Sequence, residues 1–264
     1  MRKRGLLLDI DGVLVVSWRP LPGAIPAFRR LRTEGAAMRL LTNTTSRSRS
    51  EIAQSLRESG FEVADEEIIT ATSATAQYLA RHHPGARCLL INSGDLGADL
   101  AGVAVVDPDT PSREVDVVIL GGAGPEFSYR ALNRALECLL AGASLVAMHR
   151  NLLWRTSAGM QLDTGAYLIG LERAAGVEAA IMGKPARAMF EAALAELGLA
   201  PGDAAMVGDD IDTDVRAAQV LGLTGIQVRT GKFRASQLEE GPQPDLVVDS
   251  FADVPDWWAE QGAR

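Results

Sequence analysis

A chain of 264 residues, with 47% hydrophobic and 23% charged residues, has the composition of an ordinary globular protein and is long enough to bury a sizeable core. The formal net charge of −8 and the lack of a basic tract argue against a nucleic-acid partner. The acidity does not exclude an anionic substrate, because a local cation can reverse the electrostatic field around it.

The first residues superficially resemble the start of a secretory signal, since basic side chains precede the apolar run Leu6–Leu8. Asp9 and Asp11 interrupt that run too early, so we expect no signal peptide. We also expect no membrane span, because no stretch approaches the roughly 20 apolar residues that one needs. Cys88 and Cys138 lack the spacing of metal ligands, and we expect buried free thiols in a cytoplasmic protein.

Taken in order, the predicted elements alternate between short apolar strands and amphipathic helices. Strands are predicted at 6–8, 38–41, 68–69, 88–91, 115–120, 144–148, 204–207, 225–228 and 246–248. Helices are predicted at 25–34, 50–59, 73–81, 128–141, 165–175 and 186–197, with a last one ending at 221. This alternation is typical of an α/β fold in which helices cover a mainly parallel sheet.

Three of the predicted strands end in residues that can do chemistry. Asp9 and Asp11 follow the first strand, Thr42 and Asn43 follow the second, and Asp209 follows the strand at 204–207. Ligands of an open parallel sheet bind outside the carboxyl ends of its strands. The recurrence of polar residues at this end therefore predicts an active site there.

The chemistry of these residues points to a metal and a phosphate. Asp9, Asp11, Asp209 and the nearby Asp214 offer only oxygen ligands, which favours Mg²⁺ over zinc. A hydroxyl and an amide at the end of the second strand suit phosphate oxygens, and Lys184 offers a point charge for the same anion. Carboxylates, Mg²⁺, a lysine and a hydroxyl together describe phosphoryl transfer through an aspartyl phosphate.

Each of these features also has an ordinary structural explanation when it is considered alone. The Asp-x-Asp-Gly run can close a hairpin, Thr42 and Asn43 can cap a strand, and Lys184 can be a solvated surface lysine. The acids at 209–214 can begin a helix, or form a calcium loop, although the glycine and glutamate of an EF-hand are missing. Their joint occurrence at strand ends favours the active site over these alternatives.

The chain resembles the haloacid dehalogenase-like phosphatases, whose four motifs can be read along it in order. They are Asp9–Val13, Leu41–Asn43, Gly183–Pro185, and Gly208–Asp210 with Asp214. The resemblance implies a doubly wound, mainly parallel, Rossmann-like core sheet. It also implies an inserted α/β cap of the C2 type, since the long insertion between the second and third motifs is that of the NagD-like subfamily IIA.

On this resemblance, a catalytic core is expected over 1–80 and 179–264, and a cap over 81–178. Within the subfamily, the runs Thr230–Arg234 and Ala147–Arg150 resemble the branch of the phospholysine phosphohistidine inorganic pyrophosphate phosphatase. Relatives commonly dimerise through the cap, which implies a homodimer.

The resemblance also assigns roles to individual residues. Asp9 would be the nucleophile, and Asp11 would protonate the leaving group and then activate water. The implied substrate-binding residues are Asp11, Gly12, Thr42, Asn43 and Lys184. The implied Mg²⁺ ligands are Asp9, Asp209, Asp214 and Asp11, the last through its main-chain carbonyl.

The stretch 149–165 departs from the subfamily. It should overhang the site, but it lacks the Asn-x-Asp pattern of many relatives and has His149, Asn151, Trp154 and Arg155 instead. The sequence therefore leaves the substrate open among sugar phosphates, nucleotides, pyridoxal phosphate, pyrophosphate and phosphoamides.

The sequence thus predicts a Mg²⁺-dependent phosphatase that acts on a small phosphorylated metabolite. The alternative is a catalytically weak or silent protein that binds a phosphorylated ligand on the same fold. A haloacid dehalogenase is a third hypothesis. That reaction needs no metal, so the presence of Asp209 and Asp214 argues against it.

Overall fold

The computed structural model describes residues 4–156 and 159–262, except for the side chains of 154–156 and 262. The chain forms two compact units. The first, called the core unit below, comprises the residues up to Thr42, Arg49–Ile69, and the chain from Lys184 onward. The second, called the inserted unit, comprises Asn43–Ser48 and Thr70–Gly183.

The first part of the chain supplies three strands of the main sheet, a small hairpin and two helices. They are β1 (Gly5–Asp9), β2 (Val15–Val16), β3 (Arg19–Pro20), α1 (Ala24–Thr33), β4 (Ala37–Thr42), α2 (Arg49–Glu58) and β5 (Ile68–Thr70). Every residue of β1 is buried, as expected for a central strand that is covered on both faces. The buried side chains of α1 recur at helical spacing, which packs one face of this helix on the sheet.

The inserted unit has its own sheet and three helices. Its elements are α3 (Ala71–His82), β6 (Arg87–Ile91), β7 (Ala104–Val105), β8 (Val117–Leu120), α4 (Tyr129–Leu140), β9 (Ser144–Ala147), β10 (Leu153–Thr156), β11 (Gly159–Leu162), α5 (Thr164–Ala175) and β12 (Ala180–Ile181). The five-stranded sheet has the order β12-β9-β8-β6-β7, with every neighbouring pair parallel. The antiparallel pair β10 and β11 forms a separate hairpin.

The chain then returns to the core unit and completes its sheet. The remaining elements are α6 (Arg187–Leu197), β13 (Ala204–Gly208), α7 (Ala217–Val220), β14 (Thr224–Val228), β15 (Leu246–Val248) and α8 (Val254–Gly262). The six-stranded sheet has the order β15-β14-β13-β1-β4-β5. Strand β1 lies in the middle and is parallel to both neighbours, β13 and β4. The doubly wound α/β fold is therefore confirmed.

Several elements lie outside the sequence prediction. The short strands β2, β3, β7 and β12 and the helix α8 carry too few periodic residues to be recognised from the sequence. The expected division into a core over 1–80 and 179–264 and a cap over 81–178 stays a prediction. Within the structure, helix α3 belongs to the inserted unit, where the Thr72 hydroxyl contacts the Met148 sulfur at 3.6 Å. Among the described residues, no helix has both the length and the apolar character that crossing a membrane requires.

Candidate active site

Three neighbouring strands of the core unit bring the predicted catalytic residues to one edge of the sheet. Asp9 is the last residue of β1, and Thr42 is the last residue of β4. Asp209 directly follows β13. The register aligns Asp9 with Leu41 and Leu8 with Val207, so the three strands end at nearly the same level. The sheet thereby gathers residues that are about 200 positions apart in sequence.

Lys184 lies buried among these carboxylates. Its Nζ atom is 2.6 Å from Oδ1 of Asp9 and 2.7 Å from Oδ1 of Asp214, and only 5% of its side chain is exposed. Burial lowers the pKa of Lys184, but the two neighbouring carboxylates outweigh that effect and raise the pKa above its ordinary value. The lysine is therefore charged, and this burial excludes the alternative of a solvated surface lysine.

Three buried carboxylates form a cluster beside this lysine. Asp9, Asp209 and Asp214 each present an oxygen within 4.8 Å of the others. Burial raises the pKa of all three carboxyls, and that of Asp214 reaches about 6. Among the described residues, the buried Oδ1 atom of Asp209 has no hydrogen-bond partner. A buried carboxylate oxygen without a donor needs a cation, and an all-oxygen set fits Mg²⁺.

The acidic side chains at 209–214 make different contacts. Because they do not converge on one point, a calcium loop formed by all of them is excluded. Asp210 caps the following turn (Ile211–Arg216), because its Oδ1 atom accepts hydrogen bonds from the backbone amides of Asp212 and Thr213. Asp212 forms an exposed ion pair with Arg216 at 2.8 Å. Asp209 and Asp214 remain as the buried pair at the candidate site.

The other predicted site residues occupy different positions. Asp11 is exposed, and its side chain lies outside the cluster of three carboxylates. Thr42 is buried at the end of β4. Asn43 belongs to the inserted unit, where a Cβ atom on Gly183 would lie 2.7 Å from the Asn43 Oδ1 atom. The roles assigned to these residues stay predictions.

Comparisons with known families agree with this arrangement. The family model described as haloacid dehalogenase-like hydrolase matches residues 6–105, and the model described as HAD-hydrolase-like matches residues 181–254. The haloacid dehalogenase-like hydrolase domain-containing protein 2 of Homo sapiens is 35% identical over 249 residues, covering 94% of this chain and 93% of the relative. The chain belongs to the haloacid dehalogenase-like hydrolase family. This confirms the resemblance on which the motif assignments depend.

Other members of the family match over nearly the whole chain. The phospholysine phosphohistidine inorganic pyrophosphate phosphatase of Danio rerio is 34% identical, covering 95% of this chain and 90% of the relative. Among solved structures, a p-nitrophenyl phosphatase from Archaeoglobus fulgidus has a TM-score of 0.86 at 30% identity, covering 97% of this chain and all of that one. NagD from Escherichia coli has a TM-score of 0.85 at 26% identity, covering 96% and 98%. The chain is a NagD-like member of the family.

The residues that stand in place of the family's Asn-x-Asp pattern differ in accessibility. His149 is buried in the inserted unit, and its Nε2 atom lies 3.8 Å from Oδ1 of Asp163. Burial lowers the pKa of His149, while Asp163 raises it more weakly. Asn151 is exposed, and the side chains of Trp154 and Arg155 lie outside the described residues. Of His149 and Asn151, only Asn151 is accessible to solvent.

Gln227 supports the site although the sequence analysis did not select it. Its amide nitrogen donates to the main-chain carbonyl of Asp209 at 2.8 Å and to that of Val228 at the same distance. The side chain is completely buried in β14. A glutamine inside an apolar strand could have identified this position from the sequence. A buried polar side chain needs hydrogen-bond partners, so its presence in such a strand indicates a specific contact.

Proposed function

We propose that this NagD-like hydrolase is a Mg²⁺-dependent phosphatase that cleaves a small phosphorylated metabolite through an aspartyl phosphate on Asp9. The observation that carries the proposal is the buried cluster of Asp9, Asp209, Asp214 and Lys184 at the carboxyl ends of the central strands. Two kinds of relatives support it, because the Danio rerio and Archaeoglobus fulgidus proteins are both named phosphatases.

The proposed reaction has two balanced steps. In the first, a carboxylate oxygen of Asp9 forms a bond to phosphorus, and the bond from phosphorus to the leaving oxygen breaks. Asp11 donates its proton to that oxygen, which leaves as an alcohol. In the second, Asp11 takes a proton from water while the water oxygen attacks phosphorus, which releases phosphate and restores Asp9.

Charge compensation is the main task of the remaining residues. The phosphoryl group is an anion that must approach three buried carboxylates, so the fixed cation of Lys184 offsets part of their repulsion. Asp9, Asp209 and Asp214, with the carbonyl of Asp11, are the residues that would hold Mg²⁺, which supplies further positive charge when it is bound. The residues proposed to hold the phosphate oxygens are Thr42, Asn43 and Lys184. The predicted contact of Gly12 requires its amide to exchange the hydrogen bond that it donates to the Val15 carbonyl at 2.7 Å.

Phosphate release from p-nitrophenyl phosphate tests the proposal. We expect turnover with Mg²⁺ and at least a hundredfold loss, about 3 kcal/mol, after chelation by EDTA. Restoring Mg²⁺ should restore the rate, whereas Ca²⁺ should not, because it prefers a larger and more flexible oxygen shell. Turnover that EDTA leaves unchanged would contradict the proposed metal dependence.

The alternative, a catalytically silent protein that binds a phosphorylated ligand, predicts a different experimental result. A protein that releases no phosphate from a panel of sugar phosphates, nucleotides and pyrophosphate, but still binds Mg²⁺ and beryllium fluoride by calorimetry, would favour that alternative over a phosphatase. The panel also addresses the substrate, which the sequence leaves open.

We further infer that the protein is a homodimer formed through the hairpin of the inserted unit. Leu153 and Leu162 lie directly opposite each other in β10 and β11, and Met160 is on the same face as Leu162. All three are more than half exposed. A two-stranded hairpin is marginal in water on its own, and a second copy that presents the same apolar face would cover it symmetrically.

Light scattering at micromolar concentration tests this contact. We expect the wild type to have the mass of a dimer and the variant Leu162→Lys to have that of a monomer, because a lysine on this face would bury a charge in the interface. Val220→Lys is the matched control, since Val220 is 86% exposed on helix α7 of the core unit. A monomeric wild type would contradict the inference.

We propose that the protein works in the cytoplasm, because of the state of its thiols. Cys88 and Cys138 are both buried and free. Burial raises the pKa of the Cys88 thiol to about 11, which makes it unreactive. Free buried cysteines are typical of proteins that work in a reducing compartment.

A further inference from the structure

The loop Thr230–Lys232, which follows β14, contacts the candidate active site at two points. The Thr230 hydroxyl donates a hydrogen bond to the main-chain carbonyl of Gly12 at 2.5 Å. The backbone amide of Lys232 donates to Oδ2 of Asp209 at 2.8 Å. One short loop thus binds both the turn that carries Asp11 and the buried carboxylate of Asp209.

The middle of the loop fits only a glycine. Gly231 has a φ angle of +63°, which side chains rarely adopt. A Cβ atom there would lie 2.0 Å from Oδ2 of Asp209 and 2.7 Å from the Cα atom of Gly12. Gly12 is similarly confined, because its own Cβ atom would lie 2.1 Å from the same oxygen. The two backbones therefore close around the Asp209 carboxylate without a side chain between them.

Asp11 depends on this backbone for its position. Its side chain is exposed, and its carboxyl group accepts a hydrogen bond from the backbone amide of Ser17, so backbone groups rather than apolar packing set its direction. The turn after Asp11 is held on one side by a hydrogen bond from the Gly12 amide to the carbonyl of Val15 at 2.7 Å. The Thr230 hydroxyl holds the same residue through its carbonyl. Loss of that second bond would leave the turn with only its internal hydrogen bonds, which include those from the amides of Leu14 and Val15 to the Ile10 carbonyl.

We propose that Thr230–Lys232 is a positioning loop that aims the Asp11 carboxyl at the leaving oxygen and holds Asp209 for the metal. This inference rests on the proposed phosphatase function. Thr230 acts through Gly12 and does not itself touch the reacting atoms, so it is a positioning residue. An acid that is displaced by a fraction of an ångström protonates the leaving group less well, even when the substrate binds normally.

Substitution of Thr230 by valine tests the loop, because valine keeps the shape and removes the hydroxyl. With p-nitrophenyl phosphate, we expect kcat to fall about tenfold, the effect of one hydrogen bond, while KM changes less than about twofold. Calorimetric titration of the metal-free protein should show Mg²⁺ binding weakened several-fold, since the loop that brings the Lys232 amide to Asp209 would lose its hydrogen bond to Gly12. Thr230→Ser keeps the hydroxyl and should restore both values.

Thr33→Val is the matched control. Thr33 also donates its hydroxyl to a main-chain carbonyl, that of Arg29 at 2.9 Å, but it does so within helix α1. This variant should leave kcat and Mg²⁺ affinity unchanged. Should Thr230→Val fail to fold, Thr230→Ala removes the same hydroxyl and allows the same comparison.

The outcomes distinguish a failure of the positioning-loop proposal from a failure of the proposed phosphatase function. If the wild type shows Mg²⁺-dependent turnover and the hydroxyl-free variant keeps the kcat and Mg²⁺ affinity of the wild type, the positioning loop is overturned and the phosphatase stands. If the wild type releases no phosphate from any substrate of the panel, the proposed function itself fails. A loss that Thr230→Ser does not rescue would also overturn the role of the hydroxyl.

Discussion

Asp9→Asn is expected to reduce phosphate release by about 10³-fold or more, because an amide cannot serve as the nucleophile. The fold should survive, since asparagine has nearly the shape of aspartate and Lys184 keeps its contact with Asp214 at 2.7 Å. The measurement is the initial rate with p-nitrophenyl phosphate and Mg²⁺. Acid-quenched wild-type enzyme should also carry a phosphoryl group on the peptide that contains Asp9, as detected by mass spectrometry.

Asp249→Asn is the control for this substitution. Asp249 also pairs with a basic side chain, Arg229 at 2.8 Å, but its own side chain is 81% exposed. We expect that variant to keep the wild-type rate. If Asp9→Asn retained more than about a tenth of the activity, the covalent mechanism would be wrong, since loss of a true nucleophile removes far more.

Lys184→Met should destabilise the metal-free protein by about 3–5 kcal/mol, the typical cost of removing one partner from a buried ion pair. Without the lysine, Asp9 and Asp214 lose their buried cation and repel each other. The measurement is the free energy of unfolding in urea with EDTA present. Added Mg²⁺ should recover part of the loss, because binding to the folded state alone stabilises it.

The control is Lys232→Met. Its ammonium group lies 3.8 Å from Oδ2 of Asp210, and 70% of the side chain is exposed, so the free energy of unfolding should change by less than about 1 kcal/mol. Equal stabilities for the wild type and Lys184→Met would show that the buried carboxylates do not depend on the lysine. The Lys184→Met variant should also lose activity, since the phosphoryl group would lose its fixed cation.

Local sequence was sufficient to predict the central strands of the core unit and the helices around them. Strands β1, β4 and β13 are short apolar runs that end in polar residues, and helix α1 carries a regular apolar stripe, so each pattern specifies its element within a few residues. The hairpin of β10 and β11 was not predicted. Every residue of β11 is exposed, and a strand of four residues is too short for its alternation of polar and apolar side chains to be recognised.

The sequence by itself determined which chemical groups the candidate site can contain, because residue type and motif order identify an all-oxygen acidic set, one lysine and a hydroxyl near strand ends. Only the tertiary structure decided how these groups are arranged. It buries Lys184 between two carboxylates, separates Asp210 and Asp212 from the cluster, and brings Thr230 to Gly12 across 218 positions of sequence. Such contacts depend on the packing of distant segments, for which local propensity and spacing carry no information.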